Sequence, residues 1–226
     1  MGAQADVLFL FDVDNTLLNN DAVADDLKAH LVHAVGAESQ KRYWEIFEQL
    51  RRELGYADYL GALQRYRVER PRDPQLLRLS LFLLRYPFAD RLYPQALAVI
   101  ARLRRIARVA ILSDGDVVFQ PWKVERSGLW EAFEGNVLIY IHKEQMLDDV
   151  EHRFPARHYV MVDDKLRILA AMKAVWRERL TTVFVRQGHY ATDPAHLAGF
   201  PAADVSIAAI GELRDYELES FGLRRQ

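Results

Sequence analysis

The stretch VLFLFDVDNTLL, residues 7–18, decides how the rest of the chain is read. Its first five residues are apolar and rich in β-formers, the right length for a strand buried on both faces. The run ends at Asp12, and Asp14 follows two residues later. A buried strand that delivers two carboxylates at its C-terminal end points to an open parallel α/β sheet, where ligands collect at the carboxyl ends of the strands.

Outward from that strand the same pattern recurs. Short β-rich runs at 109–112, 137–141, 159–162, 182–185 and 205–207 alternate with helical stretches. Such alternation predicts a doubly wound, mostly parallel sheet with crossover helices. Pro94 suits a first helical turn, after which Ala96, Leu97, Ile100 and Leu103 form one face. Leu166, Leu169, Ala170 and Lys173 have helical spacing as well. Residues 19–89 break the rhythm, with helical patterning and no strand. Gly36 is placed to end a helix, Ser39 to cap the next, and Pro87 follows another. The expected organisation is an α/β core of residues 1–18 and 90–226, with a cap of two to four helices at 19–89.

Composition narrows the function classes. The chain has 226 residues, half of them apolar, enough for a substantial core. Its net charge of -2, with acids and bases interspersed, supplies no field for nucleic acid or an anionic membrane. There is no cysteine, hence no disulfide, zinc-thiolate site or thiol nucleophile, which fits a reducing cytoplasm. No apolar run is long enough to span a bilayer. The expectation is a cytoplasmic protein without nucleic-acid or membrane partners; oligomeric state is not readable.

Each of the first strands ends in a reactive group. Asp12 and Asp14 follow the first, Ser113, Asp114 and Gly115 the second, Lys143 the third, and Asp163 with Asp164 the fourth. Like charges ~4 Å apart repel by roughly 4 kcal/mol at an effective dielectric near 20, so converging carboxylates require cations. Lys143 supplies one. A hard divalent ion bound through oxygen supplies more, and magnesium suits a site with few protein ligands and room for phosphate and water. A carboxylate nucleophile, a second acid, a hydroxyl and an ammonium together suit phosphoryl transfer.

Four segments, FDVDNTL, ILSDG, YIHKEQ and VMVDDK, occur in the order seen in the haloacid-dehalogenase-like (HAD) hydrolases, and the chain resembles that family from Asp12 to Asp164. The resemblance implies that Asp12 attacks phosphorus and forms an aspartyl phosphate, while Asp14 protonates the leaving oxygen and then activates water. It implies magnesium on Asp12, the backbone carbonyl of Asp14, and Asp163, with Asp164 as a ligand or helper. Ser113 and the amides of Asp114 and Gly115 would bind phosphoryl oxygens, with Lys143 offsetting charge. One departure stands out: family members often carry another acid a turn after the late pair, where this chain has KLRIL, with Arg167. Dehalogenases of the family lack the second aspartate of DxD, so Asp14 favours phosphoryl transfer.

Other residues have plainer readings. Lys123 sits in a helical stretch and Lys165 directly follows the acidic pair, making both weaker than Lys143 as the site's cation. Asp116 reads as a helix cap, and His30, His33 and His142 as packing or surface residues. Tyr43, Trp44, Phe47, Tyr56, Tyr59 and Tyr66 read mostly as cap core, and Arg65, Arg67, Arg70 and Arg72 as a solvated face. The expected activity is magnesium-dependent hydrolysis of a small phosphorylated metabolite. Phosphomutase, 2-haloacid dehalogenase and a non-enzymatic phospho-receiver or binding protein stand as alternatives.

Overall fold

A computed structural model describes residues 7–221; the outermost residues of the expected core, 1–6 and 222–226, lie outside the described residues. Six strands, β1 (Val7–Phe11), β2 (Arg108–Asp114), β3 (Val137–Tyr140), β4 (His158–Asp163), β5 (Leu180–Val185) and β6 (Val205–Ile207), form one sheet in the order β3-β2-β1-β4-β5-β6. Every pairing is parallel. The order reverses at β1, which places a crevice at the carboxyl ends of β1 and its neighbours. Register fixes what reaches that crevice. Phe11 lies opposite both Ile111 and Val162, and the Asp12 amide extends the ladder by donating to the Val162 carbonyl at 3.0 Å. Asp12 therefore emerges beside Asp163.

Because strand side chains alternate in direction, β1 supplies two cores at once. Leu8 and Leu10 face one layer, with Leu112, Met161, and Ile168, Leu169 and Met172 of a covering helix. Phe9 and Phe11 face the other, with Val109, Ile111, Val99, Ile100 and Phe119. The core helices are α5 (Ala96–Leu103), α6 (Phe119–Arg126), α7 (Leu129–Ala132), α8 (Leu147–Arg153), α9 (Leu166–Trp176), α10 (Gly188–Thr192) and α11 (Pro194–Leu197), numbered after the four of the cap. Among the described residues no helix is long and apolar enough to cross a membrane.

The cap comprises α1 (Asn20–Val35), α2 (Ala37–Leu54), α3 (Tyr59–Glu69) and α4 (Leu76–Arg85). Asn19 caps α1 by accepting from the Ala22 amide at 3.0 Å, and Asp58 caps α3 through the Gly61 amide at 2.6 Å. Leu27, Leu31, Tyr43, Phe47, Tyr59 and Tyr66 are buried and continuous with the core layer that contains Phe9 and Phe11. Tyr59 and Phe88 both pack edge-on against Phe119, at centroid distances of 5.8 and 5.7 Å. The two linkers run side by side: the Asn19 amide donates to the Arg91 carbonyl and the Tyr93 amide to the Leu17 carbonyl.

Two local expectations fail. Ser39 does not cap α2, which starts at Ala37 because Gly36, at φ 83°, makes the turn itself. Pro94 precedes α5 instead of entering it, because Gln95 adopts a left-handed φ of 71° that interrupts the helix.

Candidate active site

The strand ends bring one lysine to two acids. The Lys143 ammonium lies 2.6 Å from Asp12 Oδ1 and 2.6 Å from Asp163 Oδ2, and all three side chains are buried. Burial opposes a charge on Lys143, but Asp12, Asp163 and Asp114 outweigh it and hold the ammonium above its ordinary pKa. Lys143 is thus an interior cation. Ser113 Oγ lies 3.4 Å from Asp12 Oδ1 and accepts from Gln120 Nε2 at 3.1 Å, while Thr16 reaches Asp12 Oδ2 at 3.5 Å. Gln120 is a site residue that the sequence pattern does not reveal.

Asp12, Asp163 and Asp164 each offer an oxygen, with these atoms within 4.8 Å of one another. Both Asp164 oxygens are buried without a hydrogen-bond partner. Burial pushes the Asp163 and Asp164 carboxyls above the usual range, against the pull of Lys143 on Asp163 and of Lys165 on Asp164. Orphaned buried carboxylate oxygens beside two further acids fit a hard divalent cation, and the donor set is all oxygen, as magnesium prefers. The Asp163 Oδ1 atom also accepts from the Lys165 amide at 2.8 Å, which fixes the turn out of β4.

Asp14 points elsewhere. Its carboxylate is paired with Lys123 of α6 at 2.7 and 2.9 Å, and the same ammonium donates to Oδ1 of Asn20, the first residue of α1. Lys123, discounted from sequence, is buried and holds the half-buried Asp14 in an ion pair of its own. The Asp14 side chain, expected among the metal ligands, therefore stands outside the acid cluster that fits a cation. Asp114 accepts from the Lys143 amide at 2.7 Å, and burial raises its carboxyl pKa. The Gly115 amide, expected to face phosphate, donates instead to the Tyr140 carbonyl at 2.9 Å. Gly115 is needed for space, since a Cβ there would meet Gln120 at 2.7 Å. Asp116 accepts from the Val118 and Phe119 amides at 2.9 and 2.6 Å, as a helix-capping residue does.

A second clamp holds the loop after Asp14. Asn15, at φ 61°, accepts from the Asn20 and Asp21 amides at 3.0 and 3.2 Å and donates to the Asp21 carboxylate. Asp21 in turn binds the His189 ring at 2.6 Å, and Gln187 donates to the Thr16 carbonyl at 3.2 Å. Gly188 fits between these pieces at φ 70°, where a Cβ would meet Asn15 at 2.5 Å. Gly188→Ala is therefore expected to lower stability by about 2–4 kcal/mol in denaturant titration, from left-handed strain plus overpacking.

Above the site lies a cavity of about 890 Å³ between core and cap. Asp14, Asp114 and Lys165 form its floor; Trp44, Phe47, Tyr56 and Tyr59 come from the cap, and Tyr190 from α10. Of the cap aromatics, Tyr43 and Tyr66 are core, whereas Trp44 and Tyr56 also face the cavity. Arg167, in place of the expected acid, pairs with Glu144 at 2.7 Å. His30 stacks on Phe82, and His142 lies under Gly55 of the cap; neither faces the acid cluster.

Comparison with known proteins agrees with this geometry. Residues 7–175 match the family model of the haloacid dehalogenase-like hydrolases. The chain belongs to that family. A HAD-like hydrolase of Burkholderia xenovorans, solved by crystallography, is 61% identical, with a TM-score of 0.92 over 97% of this chain and all of that one. The HAD-hydrolase YfnB of Bacillus subtilis, bound to magnesium, is 18% identical and covers 92% of this chain and 96% of its own, with a TM-score of 0.61. An L-2-haloacid dehalogenase of Xanthobacter autotrophicus, carrying covalently bound chloropropionic acid, is 19% identical at the same TM-score and coverage. At those identities the likeness is one of fold. No curated protein gave a significant match.

Proposed function

We propose that this HAD-family hydrolase is a magnesium-dependent phosphatase of small phosphate monoesters, working through an aspartyl phosphate on Asp12. The observation that carries the reading is the second carboxylate, Asp14, held by buried Lys123 at the floor of the cavity and two residues from Asp12. A halide leaves without needing a proton, whereas an alkoxide needs one, and in this reading Asp14 supplies it.

In the first half-reaction an Asp12 carboxylate oxygen bonds to phosphorus while the bond from phosphorus to the ester oxygen breaks. Asp14 gives that oxygen the proton it took from water in the preceding turnover. In the second, Asp14 takes a proton from water as the water attacks phosphorus, and the bond to Asp12 breaks to release inorganic phosphate. Lys143 offsets charge on Asp12 and on the phosphoryl group, and the Ser113 hydroxyl, backed by Gln120, binds a phosphoryl oxygen. Asp12, Asp163, Asp164 and the Asp14 carbonyl would hold the magnesium, which when bound supplies Lewis-acid polarisation and charge neutralisation. The catalytic unit in this reading is 1–18 with 90–226, and the cap, 19–89, closes over substrate and limits water access.

Phosphate release from a panel of small phosphate esters, with and without magnesium and with Asp12→Asn as the blank, tests this assignment. Magnesium-dependent release lost in the variant is the expected result; chloride release from a 2-haloacid without phosphate release would replace it with the dehalogenase. Magnesium at 100 times its Kd should also stabilise the wild-type fold by about 2.7 kcal/mol, read as a rise in Tm. Asp164→Asn should blunt that rise.

A further inference from the structure

The cavity's charged residues are mostly neutralised locally. Lys28 pairs with Asp25 at 3.1 Å and Arg167 with Glu144 at 2.7 Å. The Lys165 ammonium makes no direct ion pair: Asp164, Asp12 and Asp163 act on it only through space, and it lies 4.8 Å above the centre of the Tyr190 ring. The Arg51 guanidinium, from the cap, lies over the same ring at 5.6 Å. Two cations, one from each side of the cavity, thus converge on one aromatic residue of α10, and all three line the cavity.

An aromatic face is a weaker partner for a cation than a carboxylate, and Arg51 spends only a long 3.4 Å contact on Glu48. We infer that Lys165, Arg51 and Tyr190 form a subsite for a second anionic group of the substrate, a carboxylate, so that the preferred substrates are phosphate esters of small hydroxy acids. This rests on the phosphatase reading and names its substrate class. Lys165 lines the cavity floor with Asp14 and Asp114, which puts this anion near the phosphoryl group and favours a short ligand. Because Arg51 belongs to α2 and Lys165 to the core, the anion bridges cap and core, and its presence favours the closed arrangement.

The test uses matched pairs of phosphate monoesters that differ by one carboxylate, with binding measured calorimetrically in the Asp12→Asn protein with magnesium. The carboxylate-bearing ester should bind about tenfold more tightly than its neutral analogue. In Asp12→Asn/Lys165→Met that ratio should fall to within about twofold of unity, and Lys165→Arg should restore most of it. The ratio, not the absolute affinity, is the readout, since Lys165 also lies near the acid cluster. Equal affinity of the two esters in Asp12→Asn overturns the inference whatever the second variant does. So does an unchanged ratio in the Lys165→Met protein. If neither ester binds and the wild type hydrolyses neither, the phosphatase reading itself fails along with it, an outcome distinct from equal binding.

Discussion

Asp12→Asn should lower turnover of any phosphate ester the enzyme accepts by roughly 10⁴-fold or more, while leaving the fold intact. The substitution keeps the size and one oxygen of the side chain, so Lys143 and Ser113 retain a partner at the Oδ1 position. What it removes is the anionic nucleophile. It also removes one of three buried, mutually repelling carboxylates, so the melting temperature should hold or rise. Purified variant assayed beside wild type, with circular dichroism as the fold check, gives the answer; activity within tenfold of wild type would assign the nucleophile elsewhere.

Lys143→Met should cost both activity and stability. The ammonium is shared by Asp12 and Asp163 at 2.6 Å each, with no solvent to replace it. Breaking a buried pair by removing one partner typically costs about 3–5 kcal/mol, because the other charge is stranded. Two are stranded here. Denaturant titration without magnesium should show the full loss, and adding magnesium should recover part of it by neutralising the same carboxylates. An unchanged midpoint in the variant would mean that Lys143 does not carry the charge balance of the site. The corresponding loss at Lys123 falls on Asp14, a half-buried group, and is smaller for that reason.

Much of this was legible from residue order, and the reason is register. In a parallel sheet every strand points the same way, so Asp12, Ser113, Lys143 and Asp163, each following a β-rich run, converge whatever lies between them. Tertiary pairing across helices carries no such rule. Lys123 lies on a helix face with Phe119, Gln120 and Val124, and its partner Asp14 is 109 residues away, so helical spacing marks it as inward-facing without saying toward what. Gln120 escapes notice for the same reason. The Gly115 amide is turned to the sheet because β2 continues to Asp114 and pairs with Tyr140, two residues past the end of its apolar run. In the cap, aromatic spacing separates helix faces but not core from cavity wall: Tyr43 and Trp44 are adjacent, and one is buried while the other faces the cavity. Tyr190, on a five-residue helix after β5, gave no sequence signal at all.

The central claim is a covalent phosphoryl group on Asp12. The most direct measurement mixes the protein with magnesium and a hydrolysed ester, quenches in acid within a turnover, and locates added phosphoryl mass by peptide mass spectrometry, with Asp14→Asn used to slow the second step. Phosphoryl mass on the peptide containing Asp12, absent in Asp12→Asn, is the predicted result. Phosphate release with no phosphorylated Asp12 peptide, in both wild type and Asp14→Asn, would contradict it.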